Sequence, residues 1–250
     1  MHTSFAIATA LGLAMVIAPA TLKAAELKVI AGGGMTAPLK ELAPRFERAT
    51  GHKVTIEFAA TPELIKMATS APFDLAVVPV DVFRNDGARA MFVPGPTIDI
   101  ARVGFGVAVK AGVPKPDVST AEAFKAALLK AQSIAFLPES AAGAYVQKVF
   151  DRLGIGAEMK AKTRAQKIPG DIPAAVAKGE AELGIFLTNV LAAPGVDFAG
   201  PFPGDLQNDL VFTSSIATQT KEAAAAKAFM DYLKSAEAVE VIKAKGMRAG

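Results

Sequence analysis

The residues Leu27-Lys28-Val29-Ile30-Ala31-Gly32-Gly33-Gly34-Met35-Thr36 carry the strongest indication of the fold. The first five are mostly aliphatic and predict a short strand. The three glycines predict a tight turn, because glycine adopts backbone conformations that other residues avoid. A helix is expected next, from about Ala37 to Thr50, since Leu39, Leu42 and Phe46 recur at helical spacing. Gly51 is expected to end this helix. Strand, turn and helix in this order are typical of an α/β domain.

The same order continues along the chain. A second strand is predicted at 54–58, and a second helix begins at Thr61, with Thr61 as its cap and Pro62 in its first turn. A third, buried strand follows at 74–78. Strands that alternate with helices predict a mainly parallel sheet with helices on both faces.

The pattern then restarts, which predicts a second α/β unit. Strands are expected at 103–109, 134–137, 183–186 and 210–217, and helices at 119–131, 143–153, 172–178, 222–234 and 236–245. The helix at 119–131 opens with the capping box Ser119-Thr120-Ala121-Glu122. We therefore predict two lobes, residues 26–102 with 210–250 and residues 103–209, hinged by the crossover strands 103–109 and 210–217 around a cleft.

The N-terminus resembles a secretory signal peptide. The apolar run from Phe5 to Ala18 is shorter than the roughly 20 residues of a membrane span. Small residues at Ala18-Pro19-Ala20 and Lys23-Ala24-Ala25 fit cleavage sites. We predict removal of residues 1–25 and export to the periplasm; an N-terminal membrane anchor is the alternative.

Composition excludes several functional classes. The chain has no cysteine, so disulfides, thiolate metal sites and a cysteine nucleophile are excluded. The net charge is only +3, with no basic run and no tryptophan, and nucleic acid is not an expected partner. Beyond the predicted signal, His52 is the only histidine, which argues against a metal site. No G-x-S-x-G or H-E-x-x-H motif occurs.

Seven fragments together resemble the molybdate-binding proteins of ABC importers and their wider relatives. They are residues 27–36, 46–51, 58–61, 71–75, 138–145, 178–185 and 229–233. The resemblance rests on their order and spacing, and it extends over essentially the whole predicted mature chain. The resemblance implies a two-lobed type II periplasmic binding protein fold and a small oxyanion bound between the lobes without a cofactor. It also implies a monomer that serves a membrane permease.

The resemblance also implies where the ligand binds. Family members hold the anion with serine hydroxyls, a late tyrosine and backbone N–H groups at helix starts, where the helix dipole favours negative charge. The corresponding positions in this chain are Gly33, Gly34, Met35, Thr61, Ser140, Ala142, Gly143, Leu187, Thr188 and Asn189. Several have a simpler structural explanation, namely a tight turn for the glycines, a helix cap for Thr61 and a loop position for Ser140.

Two positions depart from the family pattern. Gly34 stands where a serine is expected and Leu187 where a tyrosine is expected, while Thr61 keeps a hydroxyl. The lost hydroxyls predict weaker molybdate binding and a roomier site. A small organic carboxylate or other anion is therefore the alternative ligand.

Two charged residues, Glu63 and Arg102, lie close to the predicted site or hinge in the sequence. Glu63 is expected to stabilise its helix, and Arg102 is either a solvated hinge residue or a partner for a carboxylate.

Because no nucleophile–base pair is recognisable, we predict a binding protein and not an enzyme, with no catalytic residues. A secreted α/β hydrolase is the alternative from another class.

Overall fold

The computed structural model describes residues 24–250. The predicted signal peptide, residues 1–25, therefore lies outside the described residues except for its last two positions. Within the described part, no helix combines the length and the hydropathy that a membrane crossing requires.

Strands and helices alternate along most of the chain, as predicted. The strands are β1 (Glu26–Gly32), β2 (Lys53–Ala59), β3 (Leu75–Pro79), β4 (Ile98–Lys110), β5 (Ile134–Phe136), β6 (Thr163–Ala165), β7 (Leu183–Leu187), β8 (Val196–Pro201), β9 (Asp209–Ile216) and β10 (Arg248–Ala249). The helices are α1 (Thr36–Thr50), α2 (Thr61–Ser70), α3 (Asp86–Arg89), α4 (Ala121–Lys130), α5 (Ala141–Arg152), α6 (Gly156–Lys162), α7 (Asp171–Lys178), α8 (Thr188–Leu191), α9 (Ala223–Tyr232) and α10 (Ala236–Ala244). Single 3₁₀ turns occupy Gly33–Met35, Val80–Arg84 and Gly204–Leu206.

The long strand β4 connects the two halves of the fold. The strand order is β2-β1-β3-β9-β4-β7-β5-β6, and β8 and β10 also pair with β4. The first half of β4 pairs with β9 and β10, and its second half, from Phe105, pairs with β7. The predicted α/β fold class is confirmed, while the exact lobe boundaries stay a prediction.

The sheet is mixed rather than mainly parallel. β1 pairs in parallel with β2 and β3, and β5 pairs in parallel with β6 and β7. All pairings of β4 and β9 are antiparallel. The reason is topological, since the chain leaves the first half along β4 and returns along β9 in the opposite direction.

Strand β1 is buried on both faces, as an inner strand of an α/β sheet should be. Val29 and Ala31 pack into the main core beneath α1, and Ile30 packs into a smaller core with Leu64 of α2. In the register, Gly32 lies opposite Ala59 at the end of β2. The turns after β1 and β2 are therefore neighbours, and both lead into helices.

Helix boundaries follow local signals with two exceptions. Gly51 ends α1 in the left-handed conformation, as its position predicts. The cap of α4 is Thr120, whose side chain accepts from the amide of Ala123, and not Ser119 as the capping-box pattern predicts. Thr61 is the first residue of α2 and does not cap that helix with its side chain. Its hydroxyl has another partner, described below.

Substitution of Gly143 tests how tightly the start of α5 packs against the backbone at Leu137. A Cβ atom added to Gly143 would lie on the backbone carbonyl of Leu137. We expect Gly143→Ala to lower the free energy of unfolding by about 3 kcal/mol, since overpacking against backbone is not easily relaxed. Urea denaturation measures this value.

Gly170→Ala is the matched control, because nothing lies within 4 Å of a Cβ at that position and its φ is −64°. Its effect should stay within about 0.5 kcal/mol. Equal stability of the two variants would contradict the packing argument.

Candidate functional site

A narrow cleft lies where the connections after several strands meet. Its lining comes from the turn after β1, the start of α2, the start of α5 and the end of β7. The lining residues are Gly32, Gly33, Gly34, Ala59, Ala60, Thr61, Pro79, Leu137, Ser140, Ala141, Ala142, Pro169, Phe186, Leu187, Leu210 and Phe212. Ligands of open α/β sheets bind at this carboxyl edge of the strands.

The structure brings six of the ten predicted site residues together in this cleft. They are Gly33, Gly34, Thr61, Ser140, Ala142 and Leu187. Four others do not line it: Met35, Gly143, Thr188 and Asn189. Met35 is fully buried in the core, and Gly143 packs on Leu137.

Two hydrogen bonds join the walls of the cleft. The Ala141 amide, at the start of α5, donates to Thr61 Oγ1 at 2.9 Å. Asn189 Nδ2 donates to the carbonyl oxygen of Gly34 at 2.9 Å. The predicted capping role of Thr61 is therefore wrong, because its oxygen accepts from the opposite wall. Its hydroxyl hydrogen remains available to donate.

The start of α5 carries a further donor. The Ser140 hydroxyl donates to the carbonyl of Leu137 and accepts from the amide of Gly143, so it acts as a helix cap. The amide of Ala142, which lines the cleft, has no hydrogen-bond partner among residues 24–250. Unpaired amides at a helix start attract anions, because they combine donors with the positive end of the helix dipole.

The expected gain of space at Gly34 is wrong. A Cβ at this position would lie 2.7 Å from Cζ of Phe212 and 3.0 Å from Cδ1 of Leu187. The volume that a serine would use is thus filled by the Phe212 ring and the Leu187 side chain. The cavity left in the cleft measures about 20 Å³, room for roughly one water molecule.

Much of the cleft wall is apolar, which the sequence analysis missed. Phe212 and Leu210 of β9, Phe186 of β7, Leu137 and Pro169 all line it. Alternation along β9 indicates that Leu210 and Phe212 share a face, but no local signal directs that face at the Gly32–Gly34 turn. Thr61 and Ser140 are the only polar side chains in the described lining.

The charged residues considered in the sequence lie elsewhere. Glu63 pairs with Lys66 at 3.3 Å on the exposed side of α2, and Arg102 pairs with Asp99. His52 accepts a hydrogen bond from the amide of Ala25 and stacks on Phe46. None of the three lines the cleft.

A second cavity, which we term the alcove, adjoins the cleft. It measures about 310 Å³ and shares Ala141 and Leu210 with the cleft lining. Its titratable side chains are Asp81, Arg84, Tyr145, Lys148 and Asp209. Burial raises the pKa of the Tyr145 hydroxyl, which donates to the carbonyl of Leu206 at 2.9 Å.

Comparison with known proteins gives the family. Residues 27–248 match the bacterial extracellular solute-binding proteins. This chain belongs to that family. Solute-binding proteins of this type bind small ligands and work with ABC permeases. This solute-binding protein is 30% identical over 231 residues to the molybdate-binding protein ModA of Azotobacter vinelandii, and the match covers 90% of each chain. The resemblance to molybdate-binding proteins is therefore confirmed.

Its fold agrees with the same relatives. The solved periplasmic molybdate-binding protein of Azotobacter vinelandii superimposes with a TM-score of 0.74 over 90% of this solute-binding protein and 99% of that chain, at 23% identity. The predicted periplasmic binding protein fold is thus confirmed.

Another relative corrects the expected class of function. This solute-binding protein is 33% identical over 248 residues to an aconitate isomerase of Pseudomonas sp., covering 94% of each chain. The prediction that the chain is not an enzyme is therefore contradicted. The prediction rested on the absence of a recognisable motif, and that absence does not exclude catalysis.

The packing of Phe212 on Gly34 can be tested by mutation. Gly34→Ser should lower the free energy of unfolding by about 1–3 kcal/mol, because its Cβ meets the Phe212 ring. In a Phe212→Leu background the same change should cost less, since leucine lacks the obstructing ring atoms. A double-mutant cycle in urea measures this coupling. Strictly additive effects would show that the ring is not the obstacle.

Proposed function

We propose that this protein binds a small organic polycarboxylate in the cleft and isomerises it, with aconitate as the substrate. The single observation that carries the proposal is the identity of 33% over 94% of the chain with an aconitate isomerase. The lining of the cleft supports it independently, because it combines the unpaired amide of Ala142 with an apolar wall.

The apolar wall favours an organic anion over an inorganic oxyanion. Molybdate presents oxygen on every side and needs donors all around it. Here Phe212 and Leu187 occupy the space beside Gly34 where a hydroxyl would point. A carboxylate attached to a hydrocarbon chain needs donors only at its charged end, and its carbon skeleton gains from contact with apolar side chains.

The donors suit a carboxylate. The Ala142 amide has no partner among the described residues, and the Ala141 amide donates to a ligand oxygen once Thr61 moves away. The Thr61 hydroxyl is a further donor. Hydrogen bonds to a charged acceptor are about twice as strong as neutral ones, so a few such groups hold an anion without a cation in the cleft.

The proposed reaction is a proton shift that balances without a co-reactant. A base takes a proton from the methylene carbon of aconitate, the double bond moves by one carbon, and the conjugate acid of the base, after exchange with water, returns a proton to the former alkene carbon. The product has the same constitution with either the cis or the trans geometry. Negative charge that develops on the neighbouring carboxylate is stabilised by the amides at the start of α5.

Ligand entry requires the walls of the cleft to separate, since the cavity of about 20 Å³ is smaller than any tricarboxylate. The bonds from Ala141 to Thr61 and from Asn189 to Gly34 break in this motion. Each contributes about 1 kcal/mol, which the ligand's charged hydrogen bonds offset. We place the protein in the periplasm as a monomer, after loss of residues 1–25, where it serves a permease.

The isomerase activity is tested with protein purified after export. Incubation with cis-aconitate should yield trans-aconitate, and the reverse reaction should reach the same mixture, as followed by chromatography. In D₂O the product should carry deuterium on its methylene carbon. Thr61→Val should raise the Kd for aconitate about tenfold, because it removes a donor to a charged group, while Thr61→Ser should retain binding.

Three results would contradict parts of this proposal. Folded protein that binds aconitate in calorimetry without converting it would exclude the isomerase reaction. Protein that neither binds nor converts aconitate would exclude the ligand. Nanomolar binding of molybdate would show that the amides alone satisfy an oxyanion and that the apolar wall does not select against it.

A further inference from the structure

The alcove beside the cleft has charged walls. Helix α5 connects the two cavities, because Ala141 at its start lines both of them. Ala144, Tyr145 and Lys148 of the same helix line the alcove. Their spacing of three to four residues places them on one face of α5.

Among the described residues, both carboxylates that line the alcove form ion pairs, whereas its lysine does not. Asp81 is held by Arg84 at 2.6 Å, and Asp209 is paired with Arg248. Lys148 lines the same cavity, is exposed, and has no ion pair among residues 24–250. With both carboxylates neutralised by arginines, Lys148 makes the alcove attractive to an anion.

The geometry of α5 relates Lys148 to the cleft. Seven residues separate Lys148 from Ala141, about 10 Å along the helix axis. Side chains of a helix lean toward its N-terminus, so the ammonium group lies nearer to the cleft than the Lys148 backbone does. A short-chain polycarboxylate that binds the α5 amides through one carboxylate would extend from the cleft toward Lys148.

We infer that the alcove is a second carboxylate subsite, in which Lys148 binds a carboxylate of the ligand whose first carboxylate lies at the start of α5. This inference rests on the proposed function, which requires a substrate with more than one carboxylate. The cleft lining alone supplies no cation, so the alcove accounts for selection of polycarboxylates over monocarboxylates.

Calorimetry with cis-aconitate tests the subsite in the exported protein and three variants. Lys148→Gln should raise the Kd about tenfold, as expected for loss of a charged hydrogen bond. Lys148→Arg should stay within about threefold, since it keeps the charge. Lys160→Gln is the matched control, because it removes the same charge from an exposed lysine on α6. Lys160 lines a separate groove in the same half of the fold as Lys148, so this variant should leave the Kd unchanged. Thermal unfolding verifies that all variants are folded.

Each other outcome overturns the inference. Equal losses in Lys148→Gln and Lys160→Gln would indicate an effect of overall charge. Equal losses in Lys148→Gln and Lys148→Arg would indicate a packing effect, and unchanged affinity with lost turnover would indicate a role in proton transfer. If the unmodified protein binds aconitate and Lys148→Gln binds it equally well, only the subsite is wrong. If the unmodified protein does not bind aconitate, the proposed function fails and the subsite fails with it.

Discussion

Contact between the Phe212 ring and the glycine turn after β1 shapes the cleft. A Cβ at either Gly32 or Gly34 would lie 2.7 Å from an atom of this ring, so the turn accepts the ring only because these positions are glycine. The contact ties β9, which returns from the second half of the fold, to the first strand of the chain. It also gives the floor of the cleft an apolar surface, which supports the proposed organic ligand.

An apolar wall strengthens the few polar groups that face it. Hydrogen bonds gain strength in surroundings of low dielectric constant, and an unpaired amide there is costly. The amide of Ala142 is therefore a strong donor for the proposed carboxylate ligand. Thr61 contributes in a second way, because its hydroxyl oxygen accepts from Ala141 when the walls meet. In the proposed complex, a hydrogen bond from Ala141 to the charged ligand replaces this neutral one.

The two cavities differ in the chemistry of the side chains that line them. The cleft holds neutral donors and apolar surface, whereas titratable groups such as Tyr145, Lys148 and Asp209 lie in the alcove. No short sequence motif reveals such an arrangement, because the lining of each cavity comes from several separate segments of the chain. The expectation of a pure binding protein rested on the absence of such a motif, and the relationship to an aconitate isomerase contradicts it.

The sequence by itself determined the order of strands and helices, the glycine turn after β1 and the left-handed end of α1 at Gly51, because these features depend on neighbours within a few residues. It also indicated six of the residues that line the cleft. The tertiary structure decided what those residues face. Thr61 meets Ala141 across 80 residues of chain, and Gly34 meets Asn189 across 155. Local periodicity carries no information about such contacts, so the apolar floor, the mixed sheet and the alcove emerged only once the chain was folded.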